Sequence, residues 1–187
     1  GVVRDELNAL LKPHGLHFAP DPATGDRATI GGMVANNSAG MRSILYGMTI
    51  DHVLGLDLLL STGQVLNLGP LTAEQLDAKC RLPDRESKIY AGLRSIVLDN
   101  REEIRRRYPK VPRRAGGYML DAFACAPPWN MAKIAVASEG TLGVILEAKL
   151  NLEPLPAARG LVVVHFAQED QALRAVAPII EHGPSAV

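Results

Sequence analysis

Gly143-Val144-Ile145-Leu146-Glu147-Ala148-Lys149-Leu150-Asn151-Leu152 decides the fold class. Successive side chains of an extended chain point to opposite faces of a sheet. Val144, Leu146, Ala148, Leu150 and Leu152 therefore fall on one face, and Ile145, Glu147, Lys149, Asn151 and Glu153 on the other. The alternation predicts a strand with a buried face and a wetter one, Ile145 lying opposite the core. Val53 to Leu60 is also β-like, and the turn Ser61-Thr62-Gly63-Gln64 leads it into a partner at Val65 to Leu68.

Around these strands the period changes to that of a helix. Leu7, Leu10 and Leu11 recur at i, i+3 and i+4 within Arg4 to His14, and Gly15 suits the position just past a last turn. Thr72 followed by Gln75 is a capping-box pattern that opens a helix through Lys79. Ile89, Leu93, Ile96 and Val97 form one apolar stripe in Ser87 to Leu98. Asn100 is placed to cap Arg101 to Arg107, with Ile104 and Tyr108 inward, and Met131 to Ala137 is a short buried helix or strand. Phe18 to Ala28 reads as a loop, and residues 109–128 as irregular. The expected fold is α+β: a sheet from residues 53–68 and 143–152, flanked by the 87–108 helices, with Thr29 to Gly40 as a loop at its rim.

Glu153-Pro154-Leu155-Pro156 interrupts the ladder and marks a boundary. The expected domains are 1–153 and 157–187. The second would open with a strand at Leu161 to Phe166 and a helix at Glu169 to His182, with Leu173, Val176, Ile179 and Ile180 inward. One strand and one helix cannot bury a core, so this is expected to be the start of a truncated domain. Gly1-Val2-Val3 and Gly183 to Val187 both read as interior chain, so a piece of a longer protein is expected.

Composition narrows the function. Lys plus Arg (20) balance Asp plus Glu (20) in 187 residues, so no whole-molecule positive field gathers nucleic acid or an anionic membrane. No apolar run approaches the roughly 20 residues that span a bilayer. Cys80 and Cys125 are too few for a disulfide framework and lack a Cys-x-x-Cys spacing, so both read as ordinary half-buried thiols in a reducing compartment. His14, His17, His52, His165 and His182 show no paired metal-ligand spacing, and no metal site is expected. The basic run from Arg101 to Arg114 alternates with Glu102 and Glu103 and lacks interleaved aromatics, which fits a solvated helix face.

Two segments are built for close backbone approach. Ala28-Thr29-Ile30-Gly31-Gly32-Met33-Val34-Ala35-Asn36-Asn37-Ser38-Ala39-Gly40 follows Pro20-Asp21-Pro22 and carries almost no side-chain bulk. Glycine lets a ligand reach the main chain, and successive N–H groups bind phosphate oxygens without net protein charge. Glycines that merely make turns are the competing reading, and the length of the stretch favours a ligand-facing segment. Ser138-Glu139-Gly140-Thr141-Leu142-Gly143-Val144-Ile145 is equally well read as a tight passage or as a helix C-cap and turn.

Together these segments resemble the FAD-linked oxidases, flavoproteins with a PCMH-type FAD-binding domain of the vanillyl-alcohol-oxidase kind. Phe18 to Gly40, Leu45-Tyr46-Gly47, Asp51 to Asp57 and Ser138 to Ile145 carry the likeness over nearly the whole chain. Ala35 to Gly40, with Arg113-Arg114 to Asp121, is most similar to the glycolate oxidase and D-lactate dehydrogenase branch whose members are fused to an Fe–S domain. The resemblance implies the second subdomain of the FAD-binding domain, plus the first strand and helix of a C-terminal cap. It implies FAD contacts at Asp21, Pro22, Thr29, Ile30, Gly31, Gly32, Asn37, Ser38, Ala39, Gly40, Glu139, Gly140, Thr141, Gly143, Val144 and Ile145. The family's glycine-rich pyrophosphate loop and its catalytic groups fall outside the chain, so no catalytic residue is named. The implied reaction is oxidation of a 2-hydroxy acid by hydride transfer to FAD, with any Fe–S cluster in a downstream domain and the electron acceptor open. A cytoplasmic protein, peripheral to the inner membrane at most, goes with it. The alternatives are a non-catalytic flavin-fold assembly module and an alcohol- or alditol-type oxidase on the same scaffold.

Overall fold

The structure, a computed structural model, describes residues 1–124 and 128–186; Cys125 lies outside them. Helix α1 (Arg4–Leu11) runs through a 3₁₀ turn at Lys12–His14 to Gly15, whose φ of 70° is the left-handed stop the sequence suggested. Strand β1 (Leu16–His17) follows, and the loop beyond it leads to α2 (Ile30–Asn36). Short helices α3 (Ser43–Tyr46) and α4 (Thr49–His52) deliver the chain to β2 (Val53–Leu59), which turns back as β3 (Val65–Leu68). Then come β4 (Pro70–Leu71), α5 (Ala73–Cys80), α6 (Arg85–Asp99), α7 (Arg101–Arg107) and α8 (Leu120–Ala124). The chain closes through β5 (Trp129–Asn130), α9 (Ala132–Ala135), β6 (Val144–Leu150), β7 (Glu153–Pro154) and α10 (Glu169–Glu181).

The central sheet is antiparallel in the order β3-β2-β6, as expected from the two strand segments. Val53, Leu56 and Leu58 of β2 and Leu66 and Leu68 of β3 face a core that includes Met33 and Val34 of α2, Tyr90 and Val97 of α6, and Ile134 of α9. The Thr72–Gln75 capping box forms reciprocally, Gln75 N–H to Thr72 Oγ1 at 3.2 Å and Thr72 N–H to Gln75 Oε1 at 2.8 Å. Cys80 is a free, half-buried thiol.

Five expectations are corrected. Thr29 to Gly40 is not a loop: residues 30–36 are helical, because Ile30, Met33 and Val34 supply an i, i+3, i+4 stripe, all three buried. The Thr29 hydroxyl accepts from Gly32 N–H at 3.2 Å and caps it. Ile145 is not opposite the core. Asp57 pairs with Glu147 but the next residue, Leu58, pairs with Ile145, so Leu146 is an extra residue in a bulge. The alternation reverses there: Ile145 packs on the core with Ala148, Leu150 and Leu152, while Val144 and Leu146 turn outward. Asn100 sits at the N-cap of α7 but gives it no side-chain bond; its Nδ2 donates to Ile96 O at 2.8 Å and closes the preceding helix. Leu161 to Phe166 forms no strand and is exposed throughout. Helix α10 is present, but Leu173, Val176 and Ile180 are exposed rather than inward.

Candidate cofactor site

The first ribbon is pinned by the start of the chain. Ile30 N–H donates to Val2 O at 2.8 Å, Arg4 N–H to Ala28 O at 2.9 Å and Asp5 N–H to Gly25 O at 3.1 Å. These bonds fix the loop before α2 and present its first turn at a defined place. A Cβ on Gly31 would meet no atom within 4 Å, so the backbone there is open to an approaching group.

Helix α2 ends on Asn37, which adopts φ 54°. A side chain in that region costs roughly 1–2 kcal/mol unless it is Gly, Asn or Asp, whose short polar groups bond locally. Asn37 is 2% exposed and fully bonded: its Nδ2 donates to Arg114 O at 3.0 Å and its Oδ1 accepts from Ile50 N–H at 2.9 Å. The next carbonyl, Ser38 O, accepts from both Thr49 N–H at 3.0 Å and Thr49 Oγ1 at 2.7 Å. Gly40 is required by packing, because a Cβ there would lie 2.0 Å from Asp21 O. Asp21 in turn accepts from Arg42 N–H at 3.2 Å and pairs with its guanidinium at 3.3 Å.

The second ribbon joins the first directly. Ala137 N–H donates to Val34 O at 3.0 Å and Glu139 N–H to Ala35 O at 2.9 Å. Ala137, Glu139 and Gly140 all have positive φ, 62°, 50° and 78°. This kinked passage leaves Glu139, Gly140 and Thr141 exposed beside the end of α2, and a Cβ on Gly140 would meet nothing within 4 Å. Gly143 differs: its Cβ would sit 2.6 Å from Leu59 O, so it serves the close pairing of β2 and β6.

The named residues thus divide. Gly31 and Gly32 offer accessible backbone in the first turn of α2, and Glu139, Gly140 and Thr141 beside its last turn. Asn37, Gly40, Gly143 and Ile145 are committed to holding the ribbons. Asp21, Pro22, Ser38 and Ala39 are half-buried along the segment that joins the two groups, and Val144 lies outward on the bulged strand.

Sequence reasoning missed the strut that ties both ribbons from behind. Arg113 Nη2 donates to Gly40 O, Arg114 O receives the Asn37 amide, and Tyr118 OH lies 2.9 Å from Thr141 Oγ1. Arg114 is itself anchored by Asp121 at 2.7 Å. Arg113 and Arg114 sat at the end of a run that reads as solvated. That reading holds for Arg106 and Arg107, which pair with Glu103 and are 70% and 73% exposed in their side chains, and not for these two. The usable signal was the Gly-Gly-Tyr that follows them.

Residues 1–69 match the family described as FAD binding domain. Over that stretch the chain is similar to the FAD binding domain family. A D-2-hydroxyglutarate dehydrogenase of Pseudomonas putida is 38% identical over 188 residues, covering 100% of this chain and 19% of that protein. The glycolate oxidase subunit GlcD of Bacillus subtilis is 26% identical over 180 residues, 96% of this chain and 28% of that protein. The chain therefore spans 19% to 28% of the length of these relatives. A solved alkyldihydroxyacetonephosphate synthase superposes with a TM-score of 0.58 at 20% identity, over 99% of this chain and 24% of that one, which shows the shared fold.

The residues present fit the FAD of that family: a dinucleotide needs backbone donors and room, and the two ribbons supply side-chain-free backbone, the first at Gly31 and the second at Gly140. Among the described residues no group of three or more His, Cys, Asp or Glu could hold a metal ion, and no helix is long and apolar enough to cross a membrane.

Proposed function

We propose that this chain is part of a flavin-dependent dehydrogenase acting on a small 2-hydroxy acid, and that its two ribbons make one wall of the FAD site. The observation that carries the reading is the pair of main-chain bonds from Ala137 and Glu139 to the last turn of α2, which bring segments a hundred residues apart into one surface. Bound FAD would supply acceptance of a hydride from the α-carbon of the hydroxy acid. This chain's own part is to orient the cofactor. Gly31, Gly32, Gly140 and Thr141 lie against it, Thr29 and Ile30 set the first turn, and Asn37 with Gly40 fixes the spacing of the ribbons.

The names of the relatives support the substrate class and offer D-2-hydroxyglutarate and glycolate as first candidates, with D-lactate close in chemistry. The domain reading that goes with this function ends the cofactor unit near Glu153, where β7 pairs with β1 through Leu16 to Pro154 and His17 to Glu153. Residues 157–187 then begin a second unit, and the exposed apolar side chains of α10 are the face it would bury.

The test is full-length protein, purified through gel filtration and examined for a flavin absorption spectrum, then mixed without oxygen with D-2-hydroxyglutarate, glycolate and D-lactate in turn. Bleaching of the flavin band by one of these acids is expected. A colourless protein that takes up no added FAD would defeat the cofactor reading, and a flavoprotein bleached by none of them would defeat the substrate class alone.

A further inference from the structure

A cavity of about 330 Å³ lies between α1, β1 and the stretch after β7, lined by Arg4, Asn8, Lys12, His17, Arg42 and Arg159 among others. Its charges do not cancel. Arg4 pairs with Asp5 at 2.8 Å and Arg42 with Asp21 at 3.3 Å, while Lys12 and Arg159 form no ion pair among the described residues. Two positive charges are left over in a chain whose total is zero.

The buried side of the cavity is a histidine that adds no charge of its own. His17 is 3% exposed, and its Nδ1 donates to the carbonyl of Glu153 at 3.1 Å, which puts the ring hydrogen on that nitrogen. Nε2 is buried and has no hydrogen-bond partner. Burial, with Arg4, Arg159 and Arg42 nearby, holds the imidazole below its ordinary pKa and therefore neutral. The bare Nε2 of the neutral ring only accepts hydrogen bonds and offers an anion nothing, so it is the two uncompensated cations that an anion would neutralise.

We propose that this cavity binds a small dianion, a phosphate or a short dicarboxylate, held by Lys12 and Arg159. Charge-assisted bonds of this kind are the strong ones. The guanidinium of Arg159 presents paired donors to two oxygens, and the Lys12 ammonium adds a point charge. The site is separate from the flavin surface and does not depend on the cofactor reading; Arg42 is the one lining residue that also reaches Asp21.

The experiment is calorimetric titration of the full-length protein with inorganic phosphate, and separately with succinate, in a low-salt buffer free of both. One saturable site per chain is expected for at least one of the two, and which one binds tells the phosphate from the dicarboxylate source. Arg159→Gln, at an exposed position in a segment without secondary structure, should weaken it about tenfold. Lys12→Gln with Arg159→Gln should remove it, and Arg174→Gln on α10 should leave it unchanged. Absence of saturable binding by both anions, or equal binding in Arg159→Gln, would overturn the proposal. So would release of bound flavin over the same anion concentrations, since the cavity would then belong to the cofactor's own surface.

Discussion

Gly40 and Gly31 allow packing to be separated from cofactor contact. A Cβ on Gly40 would lie 2.0 Å from the Asp21 carbonyl oxygen and 2.1 Å from its Oδ1. The carbonyl is backbone and cannot rotate away, and the Asp21 carboxylate is held by Arg42 through both oxygens. Gly40 has no freedom either, since its N–H donates to Ser43 Oγ at 3.0 Å and its carbonyl accepts from Arg113. Overpacking of a tight site costs about 1–3 kcal/mol, and with no flexible neighbour to yield, Gly40→Ala belongs at the upper end, about 3 kcal/mol. Gly31 is the opposite case. Its Cβ meets nothing, and it lies in a helix, where Ala is preferred to Gly by up to about 1 kcal/mol. Gly31→Ala should therefore leave the flavin-free fold as stable as before, or slightly more so, while a methyl group between helix and cofactor weakens flavin retention. The assay is the flavin-to-protein absorbance ratio after gel filtration of full-length protein, together with thermal unfolding after the flavin has been stripped. Gly40→Ala should lower the yield and unfolding temperature of the stripped protein. Gly31→Ala should melt no lower than the parent yet hold less flavin. An unchanged flavin affinity in Gly31→Ala would remove Gly31 from the site, and a wild-type melting temperature in Gly40→Ala would refute the packing argument.

Asn37→Ala leaves the Arg114 carbonyl and the Ile50 N–H without partners and places a Cβ residue at positive φ, so a loss of about 2–4 kcal/mol is expected in chemical unfolding; Asn37→Gly, which keeps the backbone conformation, should cost less. Tyr118→Phe removes only the hydroxyl contact to Thr141, and should raise the flavin dissociation constant a few-fold with little change in melting temperature. Arg106→Glu with Arg107→Glu alters side chains that project into solvent, and turnover of the full-length protein should be unchanged. His17 is held neutral below its ordinary pKa of 6.5 by burial and nearby arginines, so the unfolded chain takes up its proton first as pH falls. Its contribution to stability is complete above about pH 6.5 and declines below, and His17→Gln should flatten that part of a pH–stability curve.

The hairpin of β2 and β3, the helices at 73–80 and 85–99 and the left-handed stop at Gly15 were legible because each is set by local chemistry. A turn tetrapeptide, a reciprocal capping pair, a stripe at helical spacing and a glycine past a last turn need no knowledge of the rest of the chain. The two ribbons do approach one another, joined by main-chain bonds from Ala137 and Glu139 to Val34 and Ala35. Helix α2 was misread: attention to small residues hid Ile30, Met33 and Val34, whose spacing alone specifies a helix with one buried face.

What could not be read from order alone is non-local. The bulge at Leu146 leaves no mark in β6 itself; it shows only in the pairing with β2, and it carries Ile145 from the solvent side to the core. The strut from Arg113 to Tyr118 is hidden likewise. Arg113 and Arg114 have the composition of a solvated run, and only the fold shows that one feeds a donor to Gly40 while the other offers its carbonyl to Asn37. These two facts bear on the same surface. The bulge sets how the second ribbon leaves the sheet, the strut sets how far the first stands from it, and the main-chain bonds from Ala137 and Glu139 lock the pair. A surface held from three directions in this way is preorganised, so binding there would cost it little conformational entropy. At the proposed flavin site, the residues that brace the ribbons should therefore matter to affinity as strongly as the glycines at its surface.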